Sequence, residues 1–312
     1  MKTRLSRHFL LWIILFLAGT STGALLQKKI GVGNILRSVG VPYPASAPAS
    51  ASPGKPVVDI PPAHKGKLSL FILAGQSNMV GWAPVPEDVV TDPRLYVFSN
   101  DYHWRVASDP VDDAYDQVDQ VSLDRIAFFG PSMAFALASL ERHPQALIGL
   151  IPCAKNSSAI GQWQRDLSDQ SLYGSCLKRA LAASPMGELA GILFFQGEAD
   201  AVDPILEPDP KPNASEWDVL FTQFITDFRK DLGQPDLPVV FAQLGSTLAI
   251  DAFTNWELVK EQQLSVELPM TTMITTDDLS LLDGVHFTAE SYKVIGERFA
   301  EAYWNLADSI PE

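Results

Sequence analysis

Cysteine is scarce: the 312 residues hold two, Cys153 and Cys176. Two cannot build a disulfide framework, and neither is paired with a histidine in sequence, which argues against a cysteine nucleophile. Cys153 follows an apolar run and Cys176 sits in a helical pattern, so they read as buried free thiols, with one bridge between them as the alternative. Also missing are a phosphate-binding Gly-x-x-x-x-Gly-Lys-Ser/Thr loop, a His-Glu-x-x-His pair and any Cys-x-x-Cys. Those absences remove P-loop, zincin and dithiol chemistry. Positive charge is thin beyond residue 66, where fifteen Lys/Arg face thirty-six Asp/Glu. Such a surface repels phosphate backbones, which excludes nucleic acid as a partner and favours neutral ligands over polyanions.

Residues 1–66 have the opposite balance, with eight Lys/Arg against Asp59 alone. Lys2, Arg4 and Arg7 precede the apolar stretch Phe9–Leu17, and small residues follow, in the order of a secretory signal. Extended through Leu26, the same stretch is 18 residues long, just enough to span a bilayer as an uncleaved anchor, with Lys28 and Lys29 at its edge. Signal peptide and membrane anchor both remain open for residues 1–26. Both place the rest of the chain outside the cytoplasm, as a secreted, periplasmic or tethered protein. Residues 27–66, rich in Pro, Ala and Ser from Val41 to Pro62, read as a linker with too few large apolar side chains to offset ordering. One folded domain is expected over 67–312, and a fragment starting at Lys67 is expected to carry the whole core.

Within that body, near-continuous apolar runs at Leu68–Leu73, Ala146–Ile151, Ile192–Phe195, Pro238–Phe241 and Met270–Ile274 have strand length. Strands apolar on both faces belong in a parallel sheet covered by helices. Trp217, Leu220, Phe221, Phe224, Ile225 and Phe228 recur at helical spacing, with Ser215 and Asp218 as cap candidates. Tyr292, Ile295, Phe299 and Tyr303 do the same after Thr288. The alternation predicts an α/β fold, a three-layer α/β/α sandwich around a parallel sheet. Leu95–Phe98 and His103–Val106 form a candidate short strand pair. The aspartates between 109 and 124 read as a solvated loop, since they lack the glycine-bearing spacing of a calcium cage. Asp203–Asn213, with four prolines, reads as a surface excursion.

Chemistry-bearing residues gather at three strand ends. Ser77 lies in Gly75-Gln76-Ser77-Asn78-Met79, directly after the first core strand, where Gly75 permits a tight turn. His286 lies in a polar turn before the last helix, three residues after Asp283, a spacing that lets the carboxylate orient the imidazole. His103 is the other candidate base. Gln196 and Glu198 follow the third core strand, the first a donor for a developing oxyanion, the second a carboxylate able to accept from an imidazole. Taken singly, each has a plainer role as a helix cap or surface pair.

Together, Gly75-Gln76-Ser77-Asn78-Met79, Gln196-Gly197-Glu198 and Asp283-Gly284-Val285-His286 resemble the blocks of the SGNH hydrolases. The group most similar is the sialate O-acetylesterase and acetylxylan-esterase-like carbohydrate esterases. Gly130–Ala136 and Ile151–Ala154 resemble plant members of it, and the likeness runs in order over about residues 67–305. The resemblance implies a flavodoxin-like sheet and hydrolysis of small acyl esters, acetyl above all, on carbohydrate, with no cofactor or metal. It implies Ser77 as nucleophile, His286 as base, Asp283 as its partner and Glu198 as the alternative acid. It further implies an oxyanion hole of the Ser77 N–H, an N–H from Asn156 or Ser157, and Gln196. One departure stands out: Asn156-Ser157-Ser158 occupies the place where the family usually has Gly-Gly-Thr or Gly-Gly-Ser. Asn156 and Asn213 also begin glycosylation sequons.

Two rivals remain. A non-catalytic carbohydrate-binding module on the same fold would use the loop tryptophans Trp82, Trp104 and Trp163 as a sugar platform. A lipid or thioester hydrolase would keep the same serine chemistry with a wider apolar groove.

Overall fold

A computed structural model describes residues 55–309 apart from 89, 114–116, 120, 122–123, 125–126 and 206–208. The signal or anchor reading of 1–26 and the linker reading of 27–54 lie outside the described residues. Seven strands form one sheet: β1 (Leu68–Gly75), β2 (Leu95–Phe98), β3 (Trp104–Val106), β4 (Ile148–Pro152), β5 (Gly187–Phe195), β6 (Val239–Ala242) and β7 (Thr271–Ile274). Their order is β3-β2-β4-β1-β5-β6-β7. All neighbours are parallel except β3, which returns antiparallel against β2. The winding changes direction at β1, flanked by β4 and β5, and open α/β sheets bind ligands at the carboxyl edge of such a switch.

Among the described residues, seven helices accompany the sheet: α1 (Ser77–Val80), α2 (Ser132–Arg142), α3 (Leu172–Ala183), α4 (Glu198–Ala201), α5 (Trp217–Asp231), α6 (Trp256–Leu264) and α7 (Ala289–Ala307). Alternation along β1 feeds both layers. Phe71 meets Phe135 of α2 and Tyr303 of α7 edge-on, each at 4.8 Å between ring centroids. Leu70 and Ile72 join the opposite core with α3, α5 and α6, where Trp217 stacks on Phe221 at 5.0 Å. Close approach of α2 and α7 depends on Gly296, because a Cβ there would meet the Pro131 carbonyl oxygen at 2.4 Å. The three-layer α/β/α sandwich is the architecture expected from the apolar runs.

Several local expectations are corrected. β5 begins at Gly187, five residues before its apolar run, and pairs with β1 along its length. Neither Ser215 nor Asp218 caps α5, which starts after Glu216 with no side-chain cap. The linker reading fails for residues 55–66. Val58 N–H donates to the Trp104 carbonyl at 2.9 Å, Arg105 Nε reaches the Lys55 carbonyl at 2.7 Å, and Ile60 is buried. This segment covers the outer edge of β3, which would otherwise expose unpaired backbone groups. Lys55 Nζ donates to the carbonyls of Ser108 and Pro110 at 2.5 and 2.6 Å.

Where it is described, the aspartate run is not a solvated loop either. Asp112, Asp119 and Asp124 are buried. Asn100 donates to Asp112 at 2.7 Å, Arg179 of α3 to Asp119 at 2.6 Å, and Lys155 to Asp124 at 2.7 Å. Donors from distant parts of the chain make burial tolerable, and nothing within the run announces them. Cys153 and Cys176 are not free thiols: a disulfide joins the end of β4 to α3. Asp203–Asn213 is an excursion where described, with Ile205 exposed, though the Asn213 N–H turns in to Asp200 at 2.8 Å.

Candidate active site

The end of β1 needs a residue without a side chain. Gly75 has φ +128°, and a Cβ there would lie 2.1 Å from the Phe195 carbonyl oxygen. The chain therefore turns beside the end of β5 and starts α1 with Ser77 at its first position. Ser77 Oγ lies 2.8 Å from Nε2 of His286. His286 Nδ1 lies 2.8 Å from Oδ2 of Asp283, whose Oδ1 accepts the N–H of Val285 at 2.9 Å and of His286 at 2.8 Å. The carboxylate thus holds both the turn and the ring, and it assigns the proton of the neutral imidazole to Nδ1, leaving Nε2 to accept from serine. Burial alone would raise the Asp283 carboxyl; the hydrogen bonds and charge of His286, with the two N–H groups, outweigh it and leave it below its ordinary value.

Trp82, five residues beyond Ser77, stacks on the His286 ring at 4.5 Å and 16°. Only the rival binding-module reading gives Trp82 a place, on a sugar platform; its closeness to Ser77 along the chain is the signal for this one. Trp163 is fully buried, with Nε1 donating to Ser158 Oγ at 3.1 Å. The tryptophan platform is therefore not assembled. His103 sits on the β2–β3 turn beside Asp101 at 3.4 Å, and its side chain is mostly exposed; His286 is the histidine brought to Ser77.

Two expected oxyanion donors are occupied elsewhere. Gln196 is fully buried, and its Nε2 faces the Ser158 carbonyl at 2.9 Å, Asp200 Oδ2 at 2.5 Å and Gln76 Oε1 at 3.3 Å. Three acceptors surround two hydrogens, and Oε1 accepts from Trp217 Nε1 at 2.8 Å. Gln196 is a brace between loops, with no hydrogen left for an oxyanion. Burial pushes Asp200 up to about 6, against the hydrogen bonds it accepts from Ile160, Gln196 and Asn213. The Asn156 N–H donates to Asp124 Oδ2 at 2.8 Å, so it too is taken.

What remains near Ser77 is the loop after β4. Lys155 N–H and Ser158 Oγ both donate to the Gly75 carbonyl, at 2.9 and 3.2 Å, which ties this loop to the nucleophile's own turn. Ser157 has φ +59°, the left-handed region where glycine is at ease, at a cost of roughly 1 kcal/mol for a side chain. Glu198 makes no hydrogen bond to the His286 ring among the described residues; its Oε1 meets the amide of Asn78. It is buried and accepts from Asn78 Nδ2. Burial raises its carboxyl above the ordinary value, opposed by its own backbone N–H, Asn78 and the charge of His286.

An α/β sheet with a serine at the end of β1 and an Asp-x-x-His turn before the last helix defines the SGNH-type hydrolase class. Residues 67–305 match the family described as carbohydrate esterase, sialic acid-specific acetylesterase. A protein of Arabidopsis thaliana named "Probable carbohydrate esterase" is 30% identical over 253 residues, covering 75% of this chain and 89% of that one. The chain belongs to this carbohydrate esterase family. The X-ray structure of the Arabidopsis protein shares 27% identity at a TM-score of 0.64, over 76% of this chain and 97% of that one. NanS, at 16% identity and a TM-score of 0.61, covers 79% and 99% respectively and shares the fold. A carbohydrate acetylesterase from Xanthomonas citri does too, at 20% identity and a TM-score of 0.55, over 78% of this chain and 57% of that one.

Proposed function

We propose that this carbohydrate esterase removes O-acetyl groups from glycans through Ser77, His286 and Asp283. The observation that carries the reading is the pair of 2.8 Å contacts linking Ser77 Oγ to His286 and His286 to Asp283. His286 takes the hydroxyl proton as Ser77 Oγ attacks the acetyl carbonyl, and Asp283 balances the imidazolium that forms. The N–H groups of Ser77 and Ser157 receive the oxyanion, in place of the Gln196 and Asn156 donors. The tetrahedral intermediate collapses, the C–O bond to the sugar breaks, and His286 returns its proton to the leaving alkoxide. Water then repeats the sequence on the acyl-serine and acetate departs.

The thirty-six acidic residues of the body favour neutral acetylated glycans over anionic ones. Export from the cytoplasm, by a cleaved signal or with the N-terminal segment kept as a tether, is supported by the basic and apolar order of residues 1–26. The Cys153–Cys176 disulfide also supports it, because such bonds persist in oxidising compartments. The substrate reading is tested by measuring acetate release from acetylated xylo-oligosaccharides, O-acetyl sialic acid and short alkyl acetates side by side. Acetylated neutral oligosaccharides are expected to give the highest kcat/KM. Preference for long acyl chains would overturn the acetyl assignment, and preference for the sialic acid ester would overturn the charge argument.

A further inference from the structure

Asn78, the residue after the nucleophile, is buried at the start of α1 and has both atoms of its side-chain amide engaged. Its Nδ2 donates to Glu198 Oε1 and, at 3.1 Å, to the carbonyl of Val285, the residue before the base. Its Oδ1 accepts the Tyr292 hydroxyl at 2.6 Å. Three elements meet at one amide: the Ser77 turn, the first residue of α4, and the Asp283–His286 turn with α7 behind it. The Ser77–His286 contact is thus shadowed, one residue away on each side, by a second contact. Glu198 Oε2 has no hydrogen-bond partner among the described residues. The charges facing Glu198 are His286 and Asp200.

We propose that Asn78, Glu198 and Tyr292 form a positioning bridge that sets the separation of Ser77 and His286, with Glu198 acting as the acceptor that orients Asn78 and not as a charge partner of the imidazole. The inference rests on the serine-hydrolase reading above. Asn78 offers Glu198 one N–H and Val285 the other, so loss of the Glu198 acceptor frees the amide to rotate away from Val285. The turn bearing His286 then loses its tie to the turn bearing Ser77. A displacement of about 1 Å between reacting groups can lower a rate by about a hundredfold. Because the bridge works through geometry, an uncharged carbonyl oxygen at the Glu198 position serves it, whereas a triad acid must be ionised.

The test compares Glu198→Ala, Glu198→Gln, Asn78→Ala and Tyr292→Phe in the full chain, by kcat and KM on p-nitrophenyl acetate. A parallel readout is the rate at which a fluorophosphonate labels Ser77, which needs the Ser–His pair but no acetyl group. Glu198→Ala and Asn78→Ala are expected to lose kcat by about 10- to 100-fold with KM nearly unchanged. Glu198→Gln is expected to recover most of the alanine loss, with the acid limb of the pH profile in place. Labelling rates are expected to follow kcat. Glu198→Gln as slow as Glu198→Ala, or an acid limb moved in Glu198→Gln, would overturn the bridge in favour of a charge role. Should the alanine variants not fold, Tyr292→Phe decides: a lower kcat at unchanged KM supports the bridge, and wild-type kcat overturns it. A wild-type protein that labels but releases no acetate would sink the substrate reading alone, and labelling rates would still judge the bridge.

Discussion

Half-buried Asp283 and buried Glu198 are both carboxylates near His286, and their surroundings separate them. Asp283 touches Nδ1 at 2.8 Å and receives two backbone N–H groups, while Glu198 meets an amide. Asp283→Asn keeps the shape but no longer enforces the tautomer with a free Nε2. A loss of kcat on the order of 10⁴ is expected, measured beside circular dichroism to verify folding. A loss below about tenfold would remove Asp283 from the triad. The Asp283–His286 pairing was legible in the sequence because its three-residue spacing is itself the geometry, whereas the place of Ser77 beside them came from the resemblance of its block. The employment of Gln196 and of the Asn156 N–H was not. It depends on Asp200 and Asp124, which reach them through side-chain contacts that no local pattern encodes. Trp82 was visible as a tryptophan, but its stacking on His286 requires two loops to meet.

Among the elements, the strands buried on both faces were read most easily, since a run such as Phe71-Ile72-Leu73 has one plausible environment. Their ends were not: Gly187-Glu188 at the start of β5 is polar and glycine-bearing, yet pairs with β1 because the sheet continues past it. The same blindness affected residues 55–66, where composition resembles a linker but the backbone lies along β3. A chain shortened to start at Lys67 loses the Lys55 contacts, the Val58–Trp104 bond and the burial of Ile60. Ile60 alone is worth about 2 kcal/mol. That chain is expected to melt several degrees below one starting at Ala51, as measured by calorimetry. Equal melting temperatures would return these residues to the linker. The Cys153–Cys176 bridge was left open in the sequence because two cysteines carry no spacing rule; contact between β4 and α3 makes it.

At the scale of the whole molecule, acidity and burial of acid combine. Burial pushes Asp109 and Asp112 up to about 7 and Asp200 up to about 6. In the unfolded chain these groups titrate near 4. The folded protein therefore holds protons that the unfolded chain has released, and the stability they contribute is lost as pH rises through about 6 to 7. Asp278, held down to about 2 by Arg298, acts oppositely but in a window beneath the unfolded value near 4. The melting temperature is expected to be higher at about pH 5.5 than at about pH 8. A higher value at the alkaline pH would contradict the burial assigned to these aspartates.

The fold and the loops at the carboxyl edge of the sheet converge on Ser77, so the most direct measurement is acetate release from an acetylated oligosaccharide by Ser77→Ala beside the unaltered chain. Ser77 sits at a turn whose direction is set by Gly75, so removing its hydroxyl leaves the packing in place. The account predicts an unchanged melting temperature and a loss of kcat of about 10⁶-fold, down to the residue supplied by binding and oxyanion donors. Turnover by Ser77→Ala at the rate of the unaltered chain would contradict it.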